Sequence, residues 1–202
     1  PPRSTLFPYT TLFRSPYYGY AYSQSLFTQS ELNMSGKRIV KIAYHYNGTG
    51  AWTDQVAVYM GHTSLQKLTT FAPGTQLTKV FEGSYTVATA DGWYEVILST
   101  PFNYNNTDNL IIAMDENSSG YHANANEFFC STTADTMSVN YYSDGTNPDP
   151  MNPPAGKGSN MVNKLLARPN IRITFEDLPT GPNISVVRSE ERRVGKECRS
   201  RW

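Results

Sequence analysis

The chain is poor in residues that build metal and redox sites. Its 202 residues contain three histidines and two cysteines. None of the histidines (His45, His62 and His122) lies at a zinc-ligand spacing from another His, Cys or carboxylate, so we interpret them as surface residues. A phosphate loop, a dinucleotide fingerprint and a Gly-x-Ser-x-Gly motif are also missing. We therefore expect a protein that is not an enzyme.

Long apolar runs and charged side chains are scarce as well. No window is long and apolar enough to cross a membrane, so membrane insertion is not expected. Charged residues make up 17% of the chain, whereas it contains 14 tyrosines and many Asn, Thr, Ser and Gly. Strong helix formers are few, and β-branched and aromatic residues are common. This composition is typical of an extracellular all-β module.

The two ends of the chain differ from the rest. Residues 1–15 (PPRSTLFPYTTLFRS) and 188–202 (RSEERRVGKECRSRW) pair position by position as reverse-complement codons, for example Pro1 (CCA) with Trp202 (TGG). A DNA cassette ligated to both ends of a fragment imposes that relation, whereas selection on a protein does not. We interpret both segments as translated sequencing-adapter DNA and exclude them from the fold.

The remaining segment, residues 16–187, is long enough for one domain with its own core. It holds nine basic and fourteen acidic residues, a formal net charge of −5, which argues against nucleic acid as a partner. Cys130 is its one cysteine, so no internal disulfide forms, and we interpret it as a small buried hydrophobe. We place the domain at 16–177 and a linker, or the start of a following domain, at 178–187.

Runs of alternating apolar and polar residues, separated by turn signals, recur along this segment and indicate a sandwich or barrel. In RIVKIAYHYN, we expect Val40, Ile42, Tyr44 and Tyr46 on the core face. Only residues 159–168 show a helical pattern. We predict an all-β, antiparallel β-sandwich of about nine strands: YSQSLFT, RIVKIAYHYN, DQVAVYMGHT, LTKVFEGSYTV, DGWYEVILST, DNLIIAMDEN, EFFCSTT, MSVNYYSD and PNIRITFED.

Three aromatic residues near loops are candidate ligand-binding residues. Trp52 follows an Asn-Gly turn, Trp93 follows an Asp-Gly turn, and Tyr121 lies in a long polar loop. An aromatic face is apolar but tolerates a polar rim, so it can stack on a sugar ring. The alternative is that each tryptophan plugs an open end of the sandwich.

A cluster of oxygen-bearing side chains is a candidate calcium site. Asp115, Glu116 and Asn117 end an apolar strand and open a loop, and calcium takes six to eight oxygen ligands. The alternative is that they are turn formers and solvated loop tips. A second loop adds ligands if the two loops meet, through Asp144, Asn147 and Asp149.

The stretches ELNMSGKRIVKIAYHYNGTGAWTDQVAVYMGHT, GWYEVILSTPFNYNNTDNLIIAMDEN and RPNIRITF resemble a known group of modules. They are similar to the jelly-roll modules of large secreted or surface proteins of Bacteroidota, such as the cleaved-adhesin domains of gingipain-type proteases. The resemblance covers nearly all of residues 17–176 as a pattern of strands and turns. It implies a jelly-roll sandwich at an extracellular or cell-surface location, and calcium sites occur in the adhesin relatives.

We accordingly expect a noncatalytic binding module, adhesin-like or carbohydrate-binding, from a larger secreted multidomain bacterial protein. The expected partners are a polysaccharide, a glycoprotein or a host-matrix ligand, together with neighbouring domains of the same chain. The alternative is a structural spacer that positions a neighbouring secreted protease or glycosidase.

Overall fold

The computed structural model describes residues 18–120, 122, 127–155 and 162–179. This part of the chain is an antiparallel β-sandwich, which confirms the predicted all-β class; its jelly-roll type stays a prediction. Both terminal segments interpreted as adapter sequence, 1–15 and 188–202, lie outside the described residues. No helix in the described ranges is long and apolar enough to cross a membrane. The elements are β1 (Tyr20–Phe27), α1 (Gln29–Leu32), β2 (Lys37–Tyr46), β3 (Trp52–Thr63), β4 (Thr78–Val87), β5 (Gly92–Tyr104), β6 (Asn109–Glu116), β7 (Cys130–Thr132), β8 (Ser138–Ser143), β9 (Asn163–Leu165), β10 (Ala167–Pro169) and β11 (Ile171–Asp177).

The larger sheet has six strands in the order β4-β3-β6-β1-β8-β9. Its central strand, β6, is buried at all eight positions. Leu110, Ile112 and Met114 of this strand face the main core, and Ile111 and Ala113 face a second cluster on the opposite side of the sheet. A strand covered on both faces reads as a continuous apolar run, as the sequence of β6 does.

Each face of the larger sheet is covered by different parts of the chain. A three-stranded sheet, in the order β11-β2-β5, packs on one face and encloses the main core. The opposite face is covered in part by the connection between β3 and β4, which supplies Leu68 and Phe71 to the second cluster. Cys130 lies half-buried in β7 and packs against the main core.

A β-bulge corrects the predicted alternation at the start of β2. Ile39 is fully buried, whereas Val40, predicted on the core face, is only partly buried. Thr174 of β11 pairs with Lys41, and the next residue, Phe175, pairs with Ile39. Val40, between them, is therefore the extra residue in β2. An extra residue in one strand reverses its side-chain alternation from that point. The other residues predicted on the core face, Ile42, Tyr44 and Tyr46, are buried as expected.

The described residues form eleven strands, two more than the nine predicted from the sequence. The two additional strands are β9, which lies within residues 159–168, and β10, which begins there and ends at Pro169; the sequence pattern assigned 159–168 to a helical turn. β9 pairs with β8 and β10 pairs with β7. Pairing with an available strand edge overrides the weak local helical pattern of so short a segment. Residues 159–161 lie outside the described ranges.

Among the described residues, side-chain hydrogen bonds join the two sheets along one side of the sandwich, and the other side is open. Hydrogen bonds join β4 and β5 across the two sheets: the Ser99 hydroxyl donates to the Val80 carbonyl at 3.0 Å, and the Tyr85 hydroxyl to the Tyr94 carbonyl at 3.3 Å. On the other side, the three-stranded sheet ends at β11, which has β2 as its one strand neighbour in the described part of the chain. The open side therefore carries a sheet edge.

Candidate functional site

Trp52 lies in the core at one end of the sandwich. Its side chain is 7% exposed, and its indole makes edge-to-face contacts with Tyr46, Tyr85 and Phe128. Trp52 faces inward because it has the same parity along β3 as the buried Val56. A sugar cannot stack on a ring packed in this way. The geometry therefore fits the alternative that Trp52 fills an end of the sandwich.

A histidine predicted to be a surface residue instead pairs with a buried carboxylate. The His122 Nε2 atom lies 3.0 and 3.1 Å from the two carboxylate oxygens of Asp54, and Asp54 is 4% exposed. The imidazole also stacks on Trp52, with ring centroids 5.6 Å apart. Burying an unpaired carboxylate is costly, so the contact with His122 offsets part of the cost of burying Asp54.

Glu116 is a second buried acid at this end. It is 2% exposed, and its Oε1 accepts a hydrogen bond from the Ser118 backbone N–H at 2.6 Å. Its Oε2 has no hydrogen-bond partner among the described residues. Burial, together with the nearby charges of Asp54 and Asp115, raises the pKa of Glu116 to about 9. Glu116 is therefore protonated at neutral pH.

Asp115 faces the other side of the sheet. Successive side chains of a strand point to opposite faces, so Asp115 and Glu116 turn away from each other. The Asn117 amide donates to Asp115 Oδ2 at 2.9 Å, and its oxygen accepts from the Asn147 amide at 2.7 Å. The two loops thus meet, and burial raises the pKa of Asp115 to about 6.

The structure separates the two carboxylates of the predicted calcium site. Asp115, Glu116 and Asn117 cannot converge on one ion, because the two carboxylates lie on opposite faces of β6. In the second loop, Asp144 accepts from the Gly19 N–H and Asp149 from the Met151 N–H. Within the described ranges, no group of three or more His, Cys, Asp or Glu side chains is placed to hold a metal. Calcium binding stays a prediction.

Trp93 lies on the outer face of the three-stranded sheet and is partly exposed. The His45 imidazole stacks on it, with ring centroids 4.7 Å apart and planes inclined by 12°. The Arg172 guanidinium lies 4.1 Å from the centre of the indole, and Phe129 packs against His45 at 4.4 Å. The indole is therefore partly exposed, and its ring lies under the exposed side chain of Arg172.

Of the three aromatic candidates, Trp93 is the one that the structure places at the surface. Trp52 is buried, and Tyr121 lies outside the described residues. Next to Trp93 the outer face carries further polar groups: Lys41 and Glu95 form an ion pair at 2.7 Å, and His45 contacts Asp91 at 2.9 Å.

A groove of about 520 Å³ runs between α1 and β11 on the open side of the sandwich. At its rim Arg168 pairs with both carboxylate oxygens of Glu31, at 3.0 and 2.6 Å, and lies 4.5 Å from the centre of the Phe27 ring. The hydrogen bond from Arg168 lowers the pKa of Glu31 to about 2. The walls are mainly apolar and include Phe27, Leu32, Met34, Trp93, Ile171, Ile173 and Phe175.

Comparison with known proteins assigns none of these features. No protein-family model matches the chain, and no curated protein or solved structure matches it.

Sequence reasoning missed the Asp54–His122 pair and the Glu31–Arg168 pair because their members are 68 and 137 residues apart. The residue spacing at the start of α1 is a signal that could have identified Glu31. Thr28 and Glu31 have the spacing of a capping box, and both reciprocal hydrogen bonds form at the start of α1.

Proposed function

We propose that this domain is a noncatalytic binding module of a larger secreted bacterial protein, of the jelly-roll, adhesin-like kind that its sequence resembles. Its ligand is a polysaccharide, a glycoprotein or a host-matrix component, and it acts at the cell surface or outside the cell. The observation that carries the proposal is the outer face around Trp93, where a partly exposed indole is surrounded by polar and charged groups.

The chemistry of this face suits a hydroxyl-rich ligand. An indole offers apolar contact to the C–H face of a sugar, and Lys41, Glu95 and Arg172 offer donors and acceptors to its hydroxyls. Arg172 can exchange its contact with the ring for a contact with the ligand. Ligand sites commonly combine an apolar platform with a few polar groups in this way.

The alternative function is a structural spacer that positions a neighbouring secreted protease or glycosidase. The observation in its favour is Trp52, which fills the end of the sandwich and presents no surface to a ligand. A spacer needs a rigid domain and no affinity of its own.

Binding of the full chain to immobilised mucin, collagen, xylan, pectin and chondroitin sulfate tests the choice. We expect at least one of these probes to bind, and Trp93→Ala to weaken its binding about tenfold or more, as the loss of a central aromatic contact does. Ile97→Ala is the matched control, because Ile97 lies on the same face of the same strand and is 69% exposed.

Equal losses in the two variants would place the ligand elsewhere on the domain. Absence of binding to every probe would favour the spacer.

A further inference from the structure

The edge of the three-stranded sheet offers a strand-pairing surface. In the described part of the chain, β11 pairs only with β2, so its other side is open. An exposed edge is a template for a further extended strand. β11 contains no proline, and the bulge near it is an extra residue in β2, which leaves β11 itself regular.

The side chains of β11 form two rows. The outer row is exposed and polar, and the inner row is apolar, packs against the main core and is only partly buried. The inner row is incompletely covered because the groove runs along this flank; Met34, on the facing wall, is 40% exposed. A strand added to β11 with the same alternation places its own apolar row in the groove. The outer row is Arg172, Thr174 and Glu176, and the inner row is Ile171, Ile173 and Phe175.

β11 is complementary to itself in one antiparallel register. When two copies are centred on Thr174, Arg172 of each lies opposite Glu176 of the other, and Ile173 lies opposite Phe175. Directly opposed residues are close enough to interact. A register shift of two residues in either direction keeps the apolar rows together, but it places Arg172 opposite Thr174 or Leu178 and loses both charge pairs.

We propose that two copies of this chain associate by antiparallel pairing of β11 with β11, which joins their three-stranded sheets into one six-stranded sheet about a two-fold axis. Within one copy, Glu176 already accepts a hydrogen bond from Arg38 at 3.1 Å. In the pair, each Glu176 lies between Arg38 of its own copy and Arg172 of the second copy. The outer faces of both copies, with their Trp93 residues, then point to the same side.

This association goes beyond the ligand binding proposed above and is tested separately from it. Sedimentation equilibrium of the full chain, from about 1 to about 100 µM, measures the monomer–dimer equilibrium. We expect a dimer whose dissociation constant lies within this range. Arg172→Glu and Glu176→Arg each place like charges opposite each other at two symmetric positions, and each should weaken dimerisation about tenfold or more.

Mixing the two variants is the decisive measurement. Arg172→Glu carries two acids in the outer row and Glu176→Arg carries two bases, so each row is complementary only to the other. We expect an equimolar mixture to form heterodimers about as tightly as the wild-type chain forms dimers. Recovery in the mixture also shows that both variants are folded. Glu95→Lys, on the same face but on β5, is the control and should leave dimerisation unchanged.

Three results would overturn the proposal. They are a chain that stays monomeric throughout the concentration range, a dimer that is insensitive to both reversals, and a mixture that does not recover. A monomeric chain that instead binds a synthetic peptide of residues 170–178 would assign the edge to a foreign strand.

Discussion

Replacing Glu116 with glutamine should flatten the pH dependence of the stability of this domain. Glu116 is buried, with one carboxylate oxygen bonded to the Ser118 N–H and the other without a described partner. Glutamine keeps the shape and the acceptor but cannot ionise. The variant therefore removes proton binding at this position while leaving the packing nearly intact.

The magnitude follows from the pKa of Glu116 in the folded and unfolded chain. Burial raises this pKa from an ordinary 4.5 to about 9, so between these values the folded state holds a proton that the unfolded state has released. The free energy of unfolding then falls as pH rises, by about 1.4 kcal/mol per pH unit. From pH 6 to pH 8 the Glu116 contribution falls by about 3 kcal/mol.

Urea unfolding at several pH values between 6 and 8 measures this effect, because the difference between wild type and Glu116→Gln cancels the other titrating groups. We expect the variant to gain about 3 kcal/mol relative to wild type across this range, equivalent to about 6 to 12 °C in melting temperature for a domain of this size. The control is Glu95→Gln, an exposed carboxylate on β5, whose stability curve should run parallel to the wild-type curve.

Parallel curves for wild type and Glu116→Gln would refute this reasoning. They would mean that Glu116 is ionised, and therefore solvated or paired, in the folded protein at neutral pH.

Three further predictions concern stability. His122→Ala should lower the free energy of unfolding by about 1–3 kcal/mol, because it leaves Asp54 buried without its partner. Lys79→Ala breaks the exposed ion pair of Lys79 with Glu82 and should have a much smaller effect. Urea unfolding of both variants measures the contrast. Trp52→Ala should cost about 3–5 kcal/mol, the range for a buried aromatic, and a loss below about 1 kcal/mol would show that the ring does not fill the sandwich end. Deleting residues 1–15 and 188–202 should leave the melting temperature unchanged in calorimetry, and a lower value would contradict their interpretation as adapter sequence.

Nine of the eleven described strands were predictable because their signal is local. The long strands bury one face or both, and the alternation around Val96 and Leu98 in β5 or the continuous apolar run of β6 records this directly in neighbouring residues. The predicted burial of Val40 was wrong because a bulge is not a local feature of one strand. A bulge depends on how β2 meets β5 and β11, and the sequence of β2 alone contains no sign of an extra residue.

The candidate sites were less predictable because they depend on residues brought together from distant positions. Trp52 and Trp93 occupy similar places after turns, yet one fills the core and the other lies on a sheet face. The difference depends on which face of each strand meets the opposite sheet. Similarly, Arg168 and Glu31 form the rim of a groove only because β10 passes beside α1, 137 residues away in sequence.

The position of β1 has a consequence for synthesis. β1 lies between β6 and β8, where Phe27 pairs with Leu110 and Tyr20 with Ser143. A ribosome adds about 5–20 residues per second, and about 80 residues separate β1 from β6. β1 is therefore synthesised roughly 5 to 15 s before β6, its first partner strand. The larger sheet therefore cannot close while the first half of the domain is being translated. Until then, β1 is available to chaperones, and to the matching strands of neighbouring nascent chains.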